Sequence, residues 1–337
     1  LPMRRVNSHA PLRTVEKLRV LVTGADGFVG QHLISHLLTA GHDITGAVLS
    51  DSPRRGTLSD SERAGVVWCG ADMRDSDRLQ SLTREARPEC VFHLAGVSSR
   101  AEAQTAYAEA LAVNSQGTFQ LLWSLADAGL ADARVIIAGS AEVYGMGGQG
   151  RIAETTALHP SSAYGVSKAA QDVVARATAE VLELDVRVAR LFPLVGPGQR
   201  DAFVLPSFCR RAFRIQRGGV DPTMHVGNLD VYRDFTDVRD GIMAMARLAD
   251  LDQVRHRVYN VCCGEPTSVR QLLQWVFDIA GIAPEIVMDE ELIRADEPEQ
   301  IVGDPSRIEE ETGWQAELDL RRTVDDTFHW MTQFRPT

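Results

Sequence analysis

Long apolar runs are missing: no hydrophobic stretch of the 337-residue chain reaches the roughly 18 residues a membrane span requires, so no membrane-embedded part is expected. A basic excess is missing too. The 35 Lys and Arg stand against 46 Asp and Glu, a net charge of −11. That argues against a nucleic-acid partner, because phosphate-backbone binding relies on many cations. A small anionic ligand stays open, since it needs only a few local ones. Cysteine is sparse, at Cys69, Cys90, Cys209, Cys262 and Cys263, with no C-x-x-C pair. Adjacent Cys262 and Cys263 would point to opposite faces of a strand and could not easily share a tetrahedral zinc. The histidines lack ligand spacing, and acidic clusters such as "DEEL" read as helix-start charges, so no metal site is expected. Buried free thiols fit a reducing cytoplasm. The first 16 residues, "LPMRRVNSHAPLRTVE", carry basic residues but no apolar h-region; a flexible arm is expected there.

What is present is alternation. Short β-branched runs, "LRVLVTG" (18–24), "DITGAVLS" (43–50), "GVVWCG" (65–70), "CVFHLAG" (90–96), "RVIIAGS" (134–140), "DVRVARLF" (185–192) and "RVYNVCC" (257–263), are separated by segments with helical spacing. This βαβα order predicts an α/β fold, a doubly wound parallel sheet covered on both faces. Such sheets bind ligands beyond the carboxyl ends of their strands. After about residue 191 the texture turns to short Pro- and Gly-punctuated pieces, which predict a second, smaller lobe.

"VTGADGFVG" follows the first strand and opens a helix, with Gly24, Gly27 and Gly30 spaced G-x-x-G-x-x-G. Glycines let backbone approach a pyrophosphate, and the helix N-terminus offers free N–H groups. A dinucleotide is therefore the expected cofactor. About 20 residues on, NAD sites place an acid; here Val48 and Leu49 stand instead, followed by Ser50, Arg54 and Arg55. These residues suit a 2′-phosphate, so NADP is preferred to NAD, although Asp51 could reach a ribose hydroxyl. Asp72 and Met73, after the third strand, are offered to adenine, with a plain helix cap as the alternative for Asp72.

"YGVSK" sets Tyr164 and Lys168 four apart, on one helix face. A Lys ammonium beside a phenol lowers its pKa and makes Tyr a usable acid near neutral pH. Ser140 ends the preceding strand, at the same sheet edge. Ser then orients a carbonyl, Tyr transfers the proton, and Lys tunes Tyr and can hold a ribose. His93, before the glycine that follows the fourth strand, reads as structural.

On "TGADGFVG", "HLAG", "NSQGT" (114–118), "GSAEVYG", "SSAYGVSK" and "GPGQ", spread over most of residues 18–330, the chain resembles the extended short-chain dehydrogenase/reductases. The resemblance implies a Rossmann-like domain over 17–192, also receiving about 230–263, and a mixed α/β sugar-nucleotide lobe over 193–229 and 264–337. It adds Phe28, Val29, Leu94, Ala95, Gly96, Asn114 and Leu191 to the implied cofactor contacts. Ser98 and Val204 join Ser140 and Glu142 as implied substrate contacts. It also implies a homodimer, with helices 102–129 and 163–183 forming a four-helix interface.

Stretches such as "GPGQRDAFVLPSFCRR", "VGNLDVYRDFTDVRDG" and "IRADEPEQIVGDPSRIEEETGW" are similar to the GDP-4-keto-6-deoxy-D-mannose reductases within that family. The implied reaction is NAD(P)H-dependent reduction of the C4 ketone of a GDP-linked 4-keto-6-deoxy sugar. The family's 4,6-dehydratases use the Glu of a Thr-x-Glu triplet as C5 base. Here the triplet is Ser140, Ala141, Glu142, so the base type is present but Ala141 cannot serve as an adjacent acid. A dehydratase or epimerase therefore stays the alternative, and a silent nucleotide sensor the reading from another class. One departure touches substrate recognition: Pro193 stands where the group has Asn near the diphosphate, and it offers no donor. Arg233 and Arg294 remain for the diphosphate, with Glu297 for ribose hydroxyls.

Overall fold

The computed structural model describes residues 17–50, 52–146, 150–293 and 297–334. The arm expected over 1–16, with Asp51 and Arg294, lies outside the described residues. The first half runs β1 (Arg19–Thr23), α1 (Phe28–Thr39), β2 (Asp43–Val48), α2 (Asp60–Ala64), β3 (Val66–Gly70), α3 (Ser76–Ala86) and β4 (Cys90–His93). Then come α4 (Arg100–Thr105), α5 (Tyr107–Leu111), a π-helical turn (Ala112–Gln116), α6 (Gly117–Asp127), β5 (Arg134–Ser140), α7 (Ala163–Leu182) and β6 (Asp185–Leu191). The remainder is β7 (Leu194–Val195), α8 (Val204–Gln216), β8 (Thr223–Val226), β9 (Tyr232–Arg233), β10 (Thr236–Asp237), α9 (Val238–Asp250) and β11 (Val258–Val261). It closes with β12 (Thr267–Ser268), α10 (Val269–Ala280), β13 (Glu285–Met288), β14 (Gln300–Ile301), α11 (Ser306–Thr312) and α12 (Leu320–Phe334).

Seven parallel strands form the main sheet in the order β11-β6-β5-β4-β1-β2-β3. The alternation read from sequence is thus an α/β Rossmann-like sheet. Because helices cover both faces, the central strands are apolar on both sides: Val20, Leu21 and Val22 of β1 are all buried. The strand order reverses between β1 and β4, which opens a crevice beyond their carboxyl ends. A separate apolar cluster joins C-terminal elements, with Leu205 and Cys209 of α8, Leu272 and Val276 of α10, and Val324 and Phe328 of α12.

Two departures have local causes. The helix expected over 102–129 is broken: Ala106 leaves the helical region at φ −133°, and residues 112–116 widen into the π turn. In that turn Asn114 is buried; its side chain accepts from Val97 N at 2.9 Å and donates to Val97 O at 3.1 Å. The turn thus ties the helix to the segment after β4. The C-terminal stretch also reaches beyond that second cluster. Ile308 and Trp314 pack into the sheet-side cluster with α1 and α9 residues, and the Trp314 indole donates to Asp240 O at 3.1 Å.

Candidate active site

The glycine loop bridges β1 and α1 at the strand reversal. Gly24 adopts φ +65°, and a Cβ there would meet Ala95 N at 2.7 Å. A Cβ on Gly30 would lie 2.4 Å from Gly24 O. Only glycine allows this approach of loop, helix and β4 segment. Gly27, at φ −75°, is the N-cap of α1, with half-buried Phe28 and Val29 following. Across the crevice, Leu94 N and Ala95 N donate to Thr23 O and Oγ1 at 3.2 and 3.1 Å, which holds Leu94–Gly96 beside the loop. Leu191 ends β6 on the same edge. This glycine-walled cradle fits a dinucleotide pyrophosphate at a helix N-terminus.

At the ribose end, buried Asp26 of the loop accepts from Arg54 N at 3.0 Å and from Arg54 Nε at 3.1 Å. Arg54 is thereby anchored over the cradle with its guanidinium exposed. Ser50 is exposed and donates to Ser52 O, while Arg55 pairs with exposed Asp60 at 3.3 Å. Asp72 pairs with Arg74 at 2.6 Å, and the cap of α3 is Asp75 instead. Met73 is buried in the sheet core beneath Gly117.

Ser140, Tyr164 and Lys168 are brought to one edge by β5 and α7. Ser140 Oγ accepts from Glu142 N at 3.2 Å, and the Tyr164 phenol lies close enough to Ser140 for the two to interact. Burial pushes that phenol up to about 12, the Ser140 hydroxyl countering and the Glu142 charge adding to the rise. The expectation that Lys168 brings the phenol toward neutrality is not met in the protein alone. Lys168 Nζ instead donates to Ala138 O at 2.7 Å and Gln171 Oε1 at 2.6 Å. It lies 4.0 Å from where a side chain on Gly96 would begin, on the cofactor side. Burial depresses the ammonium to about 7 although two oxygens take its hydrogens.

Behind Lys168 runs a buried chain whose donors can be assigned. Gln171 Nε2 donates to Thr118 Oγ1 at 2.9 Å, and Thr118 spends its hydrogen on Asn114 O at 2.6 Å. His93 Nε2, 2.9 Å from Thr118 Oγ1, must therefore donate, and His93 Nδ1 accepts from Thr23 Oγ1 at 2.8 Å. His93 is structural, as its sequence position suggests, and burial pushes its pKa down to about 3. Between that value and the ordinary 6.5, only the unfolded chain holds the extra proton, so stability is lost as pH falls. From pH 7 to 5 the loss from this group is about 2 kcal/mol. Urea unfolding of His93→Gln should show a pH 7-to-5 difference smaller by that amount; an unchanged difference would contradict the assignment.

On the substrate side, Arg100 binds Glu142 through Nε at 2.8 Å and Nη2 at 2.5 Å. Arg233 and Glu297, expected to take different parts of a nucleotide, pair with each other at 2.9 Å, both largely buried. Burial lowers the Arg233 pKa, while Glu297 raises it. Arg200 spans Glu102 Oε1 at 2.5 Å and Ser98 Oγ at 3.3 Å. Val204 begins α8, next to this group in sequence. Pro193 accepts from Thr236 N at 3.0 Å and has no donor to give. Arg100, Arg200 and Glu102 were not singled out from sequence. Arg200 directly follows "GPGQ" and was within reach of that motif, whereas Arg100 has no local signal. All five cysteines are free, and no metal-binding cluster exists among the described residues. Nor is any described helix long and apolar enough to cross a membrane.

Known proteins match this geometry. The sequence model of the GDP-mannose 4,6 dehydratase family covers residues 21–327. The GDP-6-deoxy-D-mannose reductase of Pseudomonas aeruginosa is 33% identical over 91% of this chain and 94% of its own. The GDP-6-deoxy-D-talose 4-dehydrogenase of Aggregatibacter actinomycetemcomitans is 27% identical over 86% and 90%. Among solved structures, Pseudomonas aeruginosa RMD complexed with NADPH superposes with a TM-score of 0.80 at 31% identity, covering 94% of this chain and 100% of that one. The UDP-glucose 4-epimerase of Thermus thermophilus complexed with NAD gives 0.81 at 27% identity, covering 94% and 99%. The chain therefore belongs to the GDP-mannose 4,6 dehydratase family, as an NAD(P)-dependent oxidoreductase of the extended short-chain dehydrogenase/reductase type.

Proposed function

We propose that the protein reduces the C4 ketone of a 4-keto-6-deoxy sugar nucleotide, GDP-linked, with NADPH preferred to NADH. The observation that carries this reading is Lys168 Nζ, held on Ala138 O of the strand that ends at Ser140, 4.0 Å from the Cβ position of Gly96 and one helical turn from Tyr164. The relatives named for GDP-6-deoxy sugars support the sugar class. The nicotinamide, when bound, supplies the hydride to C4. Ser140 orients the ketone oxygen, and Tyr164 gives that oxygen its phenolic proton, so the C4–H and O–H bonds of the alcohol form together. Lys168, beside Gly96, holds the ribose. Arg54 over the cradle supports a 2′-phosphate, since a guanidinium fork suits phosphate oxygens. The reading is tested by incubating the enzyme and NADPH with GDP-, UDP-, dTDP- and CDP-linked 4-keto-6-deoxy sugars and identifying products by NMR. Turnover confined to a sugar other than the GDP-linked one would overturn the base assignment, which Pro193 leaves without the group's Asn.

Glu142 has no carbon-bound proton to remove in this reaction; it positions substrate hydroxyls. Glu142→Gln keeps the shape and one acceptor, so keto-sugar reduction should fall only about tenfold, through disturbed positioning. Steady-state assays that find reduction abolished would contradict the positioning role; uptake of C5 label from deuterium oxide by wild-type enzyme given GDP-mannose and oxidised cofactor, lost in Glu142→Gln, would favour the second reading, a 4,6-dehydratase, which the family model supports.

The partner is a second copy of this chain. Tyr107, Leu111, Phe119 and Trp123 on α5 and α6, with Val173 and Val181 on α7, are exposed apolar side chains on packed helices. Such a face on a soluble enzyme calls for cover. Light scattering at micromolar concentration should give twice the chain's 37.0 kDa; a monomer alone would contradict the interface.

A further inference from the structure

We propose that Arg100 is the residue that keeps Glu142 out of C5 proton chemistry, and so assigns this site to plain ketone reduction. The inference rests on the reductase reading above. Glu142 sits on the turn after β5, its N–H fixed on Ser140 Oγ, so its carboxylate stands beside the place where the ketone oxygen is held. Its charge is near enough to act on the Tyr164 phenol. Arg100, at the first position of α4, reaches across from the segment after β4. Its Nε and Nη2 both donate to the same oxygen, Glu142 Oε2, at 2.8 and 2.5 Å. Both side chains are about three-quarters buried. The neighbouring cation, Arg233, is already committed to Glu297.

The chemistry this blocks is specific. A 4-keto sugar has an acidic C5–H, because the electron pair left behind spreads onto the C4 oxygen. Ser140 and Tyr164 are placed to hold that oxygen. A free carboxylate would take the C5 proton: the C5–H bond breaks, an O–H bond forms on Glu142, and the pair becomes the C4–C5 double bond of an enolate. Return of a solvent-exchanged proton would restore the ketone with no redox change. With Arg100 in place, two charge-assisted N–H bonds hold the Glu142 carboxylate on the guanidinium, and leaving it for C5–H means breaking both. Arg100 is thus a positioning residue, acting through Glu142 on which reaction the site runs.

The test follows C5–H of GDP-4-keto-6-deoxy-D-mannose by NMR in deuterium oxide, with NADP+ present because it cannot reduce the ketone. Wild-type enzyme should exchange C5 no faster than buffer. Arg100→Leu, with its fold verified by NADPH fluorescence titration, should exchange about tenfold faster, and Arg100→Leu/Glu142→Gln should return to the wild-type rate. Arg100→Lys, which keeps a cation but not the fork, should lie between. A folded Arg100→Leu that exchanges no faster than wild type overturns the proposal, as does exchange that survives the double substitution. Should Arg100→Leu not fold, an Arg100→Lys enzyme at the wild-type rate overturns it as well. Failure of the reductase reading is seen separately, as wild-type enzyme that does not oxidise NADPH with the same sugar.

Discussion

Tyr164→Phe is expected to lose about 10²–10⁴ in turnover while keeping its affinity for NADPH, the scale of removing a general acid. The ring stays, so the packing of α7 against the turn after β5 is kept; only the phenol oxygen beside Ser140 goes. Without it the alkoxide formed at C4 has no placed proton donor, and Ser140 holds the oxygen alone. Burial, which pushes the phenol up to about 12, keeps Tyr164 protonated over the working pH range, the form a reductase needs. Steady-state assay with fluorescence titration checks both halves. Near-normal turnover would remove proton donation by Tyr164 from the mechanism.

Lys168→Met should be nearly as severe but differently distributed: about 10² lower in kcat and about tenfold higher in KM for NADPH, because one side chain serves both binding and proton transfer. Its Nζ gives two hydrogens to Ala138 O and Gln171 Oε1, which leaves the third for a ligand on the Gly96 side. The charge matters because an ammonium stabilises the phenolate that Tyr164 becomes after giving its proton. With the Lys168 pKa depressed to about 7, that charge is present below pH 7 and lost above it. Wild-type kcat/KM for NADPH, which reports the free enzyme, should therefore fall as pH rises through 7, and Lys168→Met should lack this limb. A wild-type profile flat from pH 6 to 9 would contradict the assignment.

Much of this was legible in the sequence, for a physical reason. Fully buried parallel strands must be apolar on both faces, so Val20–Val22 and Val135–Ile137 announce themselves, and a glycine needed at φ +65° cannot be disguised by another residue. Ser140, Tyr164 and Lys168 sit in contiguous motifs, so their meeting at one sheet edge followed from strand and helix placement. Periodicity reads only one helix at a time, however. It ran straight through residues 106 and 112–116, because the cause of the break, the Asn114 bonds to Val97, lies between segments. Arg100 and Glu142 are 42 residues apart, and nothing local to either marks the pair. The Lys168 pairing was misjudged for a related reason. Four-residue spacing puts two side chains on one face, but the carbonyl at Ala138 and the amide at Gln171 compete for the ammonium.

The central claim is reduction at C4, and one isotope experiment meets it directly. Wild-type enzyme would be given GDP-4-keto-6-deoxy-D-mannose and NADPH carrying deuterium at nicotinamide C4, and in parallel GDP-mannose with NADP+. The account predicts consumption of NADPH in the first vessel, with deuterium in the product at sugar C4 alone, and no reaction in the second. Conversion of GDP-mannose to a 4-keto-6-deoxy product, with the keto sugar left unreduced in the first vessel, would contradict it.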